Sequence, residues 1–102
     1  MGEIQLKLDD NGRGALLIDK DGDRLAEMGI DIANGNLTVY HTGVSERLQG
    51  QGIASKLLAI MVDYARKHQL KVIALCPYVL ARFKRHPEQY AGIWNKHWHS
   101  KA

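Results

Sequence analysis

The amino-acid sequence predicts an α+β fold with the element order β-β-β-β-α-β-α. Three hairpin signals, Asn11-Gly12, Asp21-Gly22 and Asn34-Gly35, follow one another through the first third of the chain. The pattern then changes to helical spacing, and a continuous apolar run afterwards ends at Pro77. Together these observations predict an antiparallel meander followed by a helix, a buried strand and a second helix.

The four strands predicted for the meander have the alternation and composition of β-structure. Residues 4–8 (IQLKL) alternate apolar and polar side chains, and residues 15–19 (ALLID) form a short apolar run. Residues 24–32 (RLAEMGIDI) form the third strand. Residues 37–42 (LTVYHT) form the fourth, which is rich in β-branched and aromatic side chains.

The second half of the chain predicts a crossover unit. Apolar residues of segment 50–68 fall on one face of a helix, and residues 71–76 (KVIALC) read as a strand buried on both faces. Strands four and five are therefore expected to be parallel neighbours. Residues 78–86 (YVLARFKRH) predict a second helix that stops before a proline, and residues 88–98 predict another helical turn or two with aromatic packing residues.

Length and composition bound the class of protein. The chain has 102 residues, 45% hydrophobic and 25% charged, which suits one globular domain over residues 1–102. The sequence shows neither a membrane-spanning apolar run nor the apolar segment of a signal peptide, and its single cysteine excludes an internal disulfide. We expect a soluble cytoplasmic protein that is a monomer or weak dimer, binds no membrane and has one core.

The stretch RLQGQGIAS places Gly50 and Gly52 at the start of the longest predicted helix. Glycine weakens a helix by about 1 kcal/mol relative to alanine, so the pair needs a physical reason. The two glycines either relieve a tight turn or let an anion approach the unpaired amides of the helix N-terminus. Alone, this pattern leaves both interpretations open.

The wider window resembles a known family. Arg47-x-x-Gly50-x-Gly52-x-Ala54, between a strand and a helix, resembles the acetyl-coenzyme-A motif of the GNAT acyltransferases, (Gln or Arg)-x-x-Gly-x-(Gly or Ala). The segment LCPYVLARFKRHPEQY resembles a subgroup of very small, single-domain GNAT-like proteins that carry a Cys-x-Tyr-Val segment. A Rossmann motif would need glycine in place of Ser55, and the Gly-Lys-(Ser or Thr) of a P-loop is absent.

The resemblance implies a minimal GNAT-like fold in which strands four and five splay apart, with acetyl-coenzyme A as cofactor and an amine as acceptor. It implies cofactor contacts by residues at the end of strand four, in the glycine loop and around the second helix. These residues are Thr42, Val44, Arg47, Gln49, Gly50, Gln51, Gly52, Ile53, Ala54, Ser55, Cys76, Tyr78, Phe83, Lys84 and Arg85.

Cys76 and His41 are the candidate catalytic residues. The thiol of Cys76 is either a small buried hydrophobe or, as the resemblance implies, a group beside the thioester that accepts the acetyl group or only positions it. A nucleophilic thiol needs a nearby base, which His41 or His86 would supply. The "HWH" stretch at residues 97–99 has two histidines without a third ligand, so no metal site is predicted.

The other basic and aromatic residues leave two interpretations open. Lys84 and Arg85 belong either to a solvated face or to a site for cofactor phosphates, whereas Trp94 and Trp98 are expected to pack in the core or a lid. The sequence also departs from larger GNAT enzymes. Strand four carries no carboxylate, and Tyr78 comes too early to match their general-acid tyrosine.

The main hypothesis is an acetyl-coenzyme-A-dependent N-acetyltransferase. The first alternative is a coenzyme-A-binding module with little transferase activity. The second is a small basic nucleic-acid-binding protein, which the net charge of +3 favours weakly. The sequence lacks the aromatic and basic strand pattern of an RNA-recognition module, so no nucleic-acid partner is expected.

Overall fold

The computed structural model describes residues 3–96 and confirms the predicted order of elements. Its single mixed sheet has five strands in sequence order: β1 Gln5–Leu8, β2 Arg13–Lys20, β3 Asp23–Ala33, β4 Asn36–Val44 and β5 Lys71–Ala74. Strands β1 to β4 pair antiparallel, whereas β4 and β5 are parallel. The predicted meander and crossover are therefore both present.

Two hairpin turns have the backbone that their sequences predict. Asp21 and Gly22 have φ values of 53° and 85°, and Asn34 and Gly35 have φ values of 54° and 79°. Two consecutive left-handed residues form a type I′ turn, whose twist matches that of the flanking strands. The turns fix the registers of β2 with β3 and of β3 with β4.

Three helices follow the meander: α1 Ile53–Lys67, α2 Pro77–Arg85 and the short α3 Pro87–Tyr90. Helix α1 ends in a Schellman motif, because Gln69 is left-handed and the amide of Leu70 donates to the carbonyl of Ala65 at 2.8 Å. Helices α2 and α3 each begin at a proline, whose fixed φ suits the first helical position.

Helices α1 and α2 pack on the same face of the sheet. Their buried side chains, including Leu57, Met61, Val79 and Phe83, belong to one hydrophobic cluster with Met28 and other residues of the central strands. A large-to-small change in such a cluster costs several kcal/mol. We call this side the covered face. No helix of the described residues packs on the opposite side, which we call the open face.

The C-terminal part differs from the sequence prediction. Strand β5 ends at Ala74, two residues earlier than predicted, and the helical turn predicted over 88–98 is limited to α3. The chain then runs beside β5, where the amide of Val72 donates to the carbonyl of Ile93 and the amide of Asn95 donates to the carbonyl of Val72. This segment covers the outer edge of the sheet. Over residues 3–96, no helix has the length and apolar character needed to span a membrane.

Candidate active site

The glycine loop between β4 and α1 has a backbone that requires glycine. Gly50 and Gly52 have φ values of 80° and 70°, in the left-handed region that L side chains rarely adopt. A Cβ built on either residue would meet no protein atom within 4 Å. The open space beside both glycines leaves room for a ligand to approach the backbone.

The N-terminus of α1 adjoins this loop and offers unpaired donors. Its N-cap is Gly52, which provides no side-chain cap, and its first turn carries no acidic residue. The amides of Ile53, Ala54 and Ser55 have no acceptor inside the helix, whose first backbone bond runs from Lys56 to the carbonyl of Gly52. Uncapped amides and the positive end of the helix dipole favour an anion here.

Two amides of the predicted binding loop are already used. The Gln49 amide donates to the carbonyl of Glu46 at 3.2 Å, and the Gln51 amide donates to the carbonyl of Leu48 at 3.4 Å. The side-chain amide of Gln49 also reaches the carbonyl of Val44 at 3.5 Å. The backbones of Gln49 and Gln51 therefore shape the loop, and the amides of Ile53, Ala54 and Ser55 stay available as donors.

A gap opens between β4 and β5 at their carboxyl ends. Their pairing stops at Val39 and Ala74, while β4 continues to Val44. The amides of Leu75 and Cys76 both donate to the carbonyl of Val39, at 3.0 and 2.8 Å, and the chain then turns into α2. The predicted splay of strands four and five is confirmed as this loss of pairing beyond Val39 and Ala74.

A β-bulge lies in β4 at the start of the gap. Ile30 of β3 pairs with Val39, but Gly29 pairs with His41, so Tyr40 is an extra residue in β4. Such a bulge reverses the alternation of side chains that follow it. Thr42 therefore shares the covered face with its partner Met28, and His41 shares the open face with Gly29.

Thr42 and Cys76 meet on the covered face of the gap. The Thr42 hydroxyl oxygen lies 3.3 Å from the Cys76 sulfur, within hydrogen-bond distance. Cys76 is only 2% exposed and immediately precedes α2. The predicted location of Cys76 at the end of β5 beside the gap agrees with this geometry.

His41 lies on the opposite face of β4 from Cys76, so the structure does not bring this candidate base to the thiol. Its Nε2 lies 2.7 Å from a carboxylate oxygen of Glu27 on the open face. His86, the alternative base, caps the far end of α2, about 15 Å from Cys76 at 1.5 Å per helical residue. Neither histidine is therefore placed to activate the Cys76 thiol.

Glu27 is the site residue that sequence reasoning missed. The hydrogen bond with His41, and secondarily the one from Arg24, lowers the pKa of its carboxyl. Arg24 donates to Glu27 at 2.8 Å and to Asp19 at 2.9 Å, which raises the pKa of its guanidinium. An acid within the otherwise uncharged stretch LAEMGI was the available signal.

Residues 13–93 match the sequence model of the GCN5-related N-acetyl-transferases. The chain belongs to this family. Its activity is accordingly N-acetyl transfer. The recognisable sequence motifs start at about His41. The family match begins well before that residue.

Solved structures of other acetyltransferases share the fold. A GCN5-like protein of Staphylococcus aureus, assigned as an N-acetyltransferase, is 30% identical with a TM-score of 0.67, over 98% of this chain and 100% of its own. An Agrobacterium tumefaciens protein assigned as an acetyltransferase is also 30% identical, with a TM-score of 0.57 over 72% of this chain and 56% of its own. The ribosomal-protein-alanine N-acetyltransferase of Brucella melitensis biovar Abortus shares the fold at 22% identity, with a TM-score of 0.61 over 91% of this chain and 70% of its own. Among curated proteins, no sequence matches at a significant level.

Three predicted cofactor residues of this acetyltransferase line the same end of the sheet. Val44 ends β4, and Tyr78 opens α2, where its hydroxyl accepts a hydrogen bond from Arg82 at 2.9 Å. Arg47 follows β4 in a short 3₁₀ turn and reaches Asp23 at 3.3 Å in an exposed ion pair. The Arg47 guanidinium is thus tethered near the glycine loop.

Phe83 is misassigned as a cofactor residue. Its side chain is 0% exposed, stacks on Tyr90 at 4.5 Å and meets the edge of Trp94 at 5.6 Å, so it belongs to the core. Trp94 packs as the sequence predicted.

The basic residues Lys84 and Arg85 lie in the last turn of α2 and are exposed. Lys84 is about 12 Å from Cys76 along the helix axis. Cofactor contact by this pair stays a prediction. His97, Trp98 and His99 lie outside the described residues.

Proposed function

We propose that this acetyltransferase takes its acetyl group from acetyl-coenzyme A, holding the phosphates at the N-terminus of α1 and the thioester in the gap between β4 and β5. The observation that carries the proposal is the glycine loop. Its two left-handed glycines, the open space beside them and the uncapped amides of α1 form a cradle for a diphosphate.

The topology brings a second helix N-terminus to the same place. Helices α1 and α2 follow the carboxyl ends of the parallel strands β4 and β5, so both begin at the same edge of the sheet. Neither helix carries an acidic residue in its first turn. The two positive helix ends therefore favour a ligand with several negative charges.

Acetyl-coenzyme A supplies an acetyl group already activated as a thioester. This chain's part is to position that group and to exclude water. The gap exposes the free edge of β4 beyond Val39, where the backbone of residues 40–44 has no β5 partner. Thr42 and Cys76 form a polar contact on the covered side of this edge, and the core behind them excludes water.

Calorimetric titration with acetyl-coenzyme A tests the cradle through a matched pair of variants. Gly52 and Gly35 have φ values of 70° and 79°, and a Cβ on either meets no protein atom within 4 Å. Gly52→Ala and Gly35→Ala therefore introduce similar backbone strain of about 1–2 kcal/mol, but only the first adds a methyl group to the cradle.

We expect the wild type and Gly35→Ala to bind acetyl-coenzyme A with affinities within about twofold of each other. Gly52→Ala should bind at least about tenfold more weakly, which corresponds to 1.4 kcal/mol. Unchanged affinity in a Gly52→Ala protein that retains the wild-type circular dichroism spectrum would rule out the cradle.

A further inference from the structure

The open face beside the gap contains a histidine held by three neighbours. The His41 ring lies over Gly29, where a Cβ would come within 2.5 Å of ring atom Cε1 and 2.9 Å of Nδ1. Gly29 has no left-handed φ, so its backbone does not require glycine. The absence of a side chain at Gly29 therefore makes room for the imidazole of His41.

Glu27 fixes one of the two ring nitrogens. Its Oε2 lies 2.7 Å from Nε2 of His41, and its Oε1 accepts a hydrogen bond from Arg24 at 2.8 Å. Since a carboxylate can only accept, Nε2 carries the hydrogen and the neutral ring keeps its lone pair on Nδ1. Among residues 3–96, no hydrogen-bond partner is recorded for Nδ1, and the His41 side chain is 58% exposed.

The surroundings of His41 are polar and open. Lys7, Arg24 and Glu27 share with it a surface cavity of about 320 Å³ above Ala15 and Leu17. Arg24 is itself bonded to Asp19. The charged groups nearest to His41 thus come from β1, β2 and β3, and Glu27 is the one in contact.

His41 stands at the gap but on the side away from the thiol. It is the residue before Thr42, and it lies beyond the last β4–β5 pair, Val39 with Ala74. Thr42 contacts Cys76 on the covered face, whereas His41 contacts Glu27 on the open face. The imidazole therefore lies on the open side of the strand whose unpaired edge borders the gap.

We propose that the open face is the acceptor side of this acetyltransferase, where Nδ1 of His41 takes the proton from the acceptor's ammonium group and Glu27 positions the imidazole. The inference rests on the proposed function, because it needs the thioester in the gap. In the step, R–NH₃⁺ and neutral His41 become R–NH₂ and an imidazolium. The freed lone pair of the amine then attacks the thioester carbon: the N–C bond forms, the C–S bond breaks, and coenzyme A leaves as a thiolate that takes up the proton lost by the new amide nitrogen.

Glu27 is a positioning residue in this scheme. It fixes the tautomer and stabilises the imidazolium, while Arg24 and Asp19 hold Glu27 in place. General-base groups contribute about 10²–10⁴-fold, and partners that orient a functional histidine contribute about 10–100-fold in metal sites. His41 should therefore matter more than Glu27.

The test uses the full chain with benzylamine as the probe amine. Acetyl transfer from saturating acetyl-coenzyme A is compared for the wild type, His41→Ala, Gly29→Ala, Glu27→Gln and the control Gly92→Ala. Gly92 lacks a left-handed φ, and a Cβ there meets open space. Calorimetry with acetyl-coenzyme A and the carboxyl pKa of Glu27, measured by ¹³C NMR, provide readouts that do not depend on turnover.

We expect His41→Ala and Gly29→Ala to lower kcat/KM for benzylamine about 100-fold and Glu27→Gln about tenfold, with Gly92→Ala unchanged. Acetyl-coenzyme A affinity should stay within about twofold throughout. Added imidazole should restore part of the rate of His41→Ala. The lowered pKa of Glu27 should rise in His41→Ala and Gly29→Ala, because both remove its main hydrogen bond.

The outcomes separate this inference from the proposed function. A wild type that fails to bind acetyl-coenzyme A would overturn both. Normal binding with a full rate in Gly29→Ala or His41→Ala, or with no transfer to benzylamine, would overturn the acceptor-side assignment alone. Loss of acetyl-coenzyme A affinity in His41→Ala would assign the histidine to the cofactor instead.

Discussion

The two faces of the sheet differ most at the end of β4, where neighbouring residues carry different chemistry. Thr42 faces the helices and contacts Cys76 within the hydrophobic core. His41 faces the other way and contacts Glu27 among exposed charged groups. In the proposed function, the first face provides a dry wall for the thioester and the second a charged surface for the amine.

The bulge at Tyr40 decides which of these two residues takes which face. In a regular strand His41 would share the face of Val39, which is buried in the core. The extra residue reverses the alternation, so that His41 pairs with Gly29 on the open face. A one-residue irregularity thus places His41 on the open face and Thr42 on the covered face, the reverse of a regular strand.

The largest expected contrast between the faces is in stability. Phe83 on the covered face is fully buried against Tyr90 and Trp94. Phe83→Ala should lower the free energy of unfolding by about 3–5 kcal/mol, because it leaves a cavity in the cluster. Lys7→Ala on the open face should change it by less than about 0.5 kcal/mol.

Urea denaturation followed by circular dichroism measures both variants. A Phe83→Ala protein that has lost most of its structure agrees with the expected loss. A well-folded Phe83→Ala protein of near wild-type stability, with weakened acetyl-coenzyme A binding, would return Phe83 to the cofactor residues.

A smaller effect is expected for the thiol on the covered face. Cys76→Ala removes the sulfur beside Thr42 and should lower the transfer rate to benzylamine about tenfold, because the reacting group is less well positioned. Acetyl-coenzyme A affinity should be nearly unchanged, since the site proposed for the phosphates is the glycine loop, away from Cys76. Cys76→Ser, which keeps a hydrogen-bonding group, should recover part of the rate.

Intact-protein mass spectrometry distinguishes positioning from covalent catalysis. Neither His41 nor His86 is placed to activate the thiol, so we expect no acetyl adduct on Cys76 when acetyl-coenzyme A is added without an amine. An adduct that disappears when benzylamine is added would instead make Cys76 a nucleophile. A Cys76→Ala enzyme with full activity would reduce the residue to packing.

The sequence was sufficient for the fold and for the backbone of the glycine loop. Hairpin signals, helical spacing and the Gly50–Gly52 motif are local features, and each depends on φ angles or periodicities that neighbouring residues determine. The gap between β4 and β5 was also predictable, because the crossover makes these strands parallel and Pro77 ends the second one.

The acceptor side could not be read from the sequence in the same way. The contact between His41 and Glu27 joins two strands and depends on a bulge, for which LTVYHT has no signal such as a glycine. The helical spacing of Phe83 suits a pocket residue and a core residue equally well. Only the tertiary contacts with Tyr90 and Trp94 decide between them.

The smallest expected contrast is in the response to acid. The pKa of Glu27, ordinarily 4.5, is lowered first by its hydrogen bond with His41 and then by Arg24, and the pKa of Asp19 is lowered by Arg24. A carboxyl with a lowered folded-state pKa contributes stability above its unfolded-state pKa and loses it as the pH falls through the folded-state value. The open face should therefore lose stability below about pH 4.5, whereas the covered face buries no charged side chain.

Because Glu27 is partly exposed, its share of this stability should be about 0.5 kcal/mol. We expect a smaller loss of thermal stability between pH 7 and pH 3.5 in Glu27→Gln than in the wild type. Equal losses in the two proteins would show that the contact between Glu27 and His41 contributes nothing to folding, and would confine its role to the orientation of the imidazole.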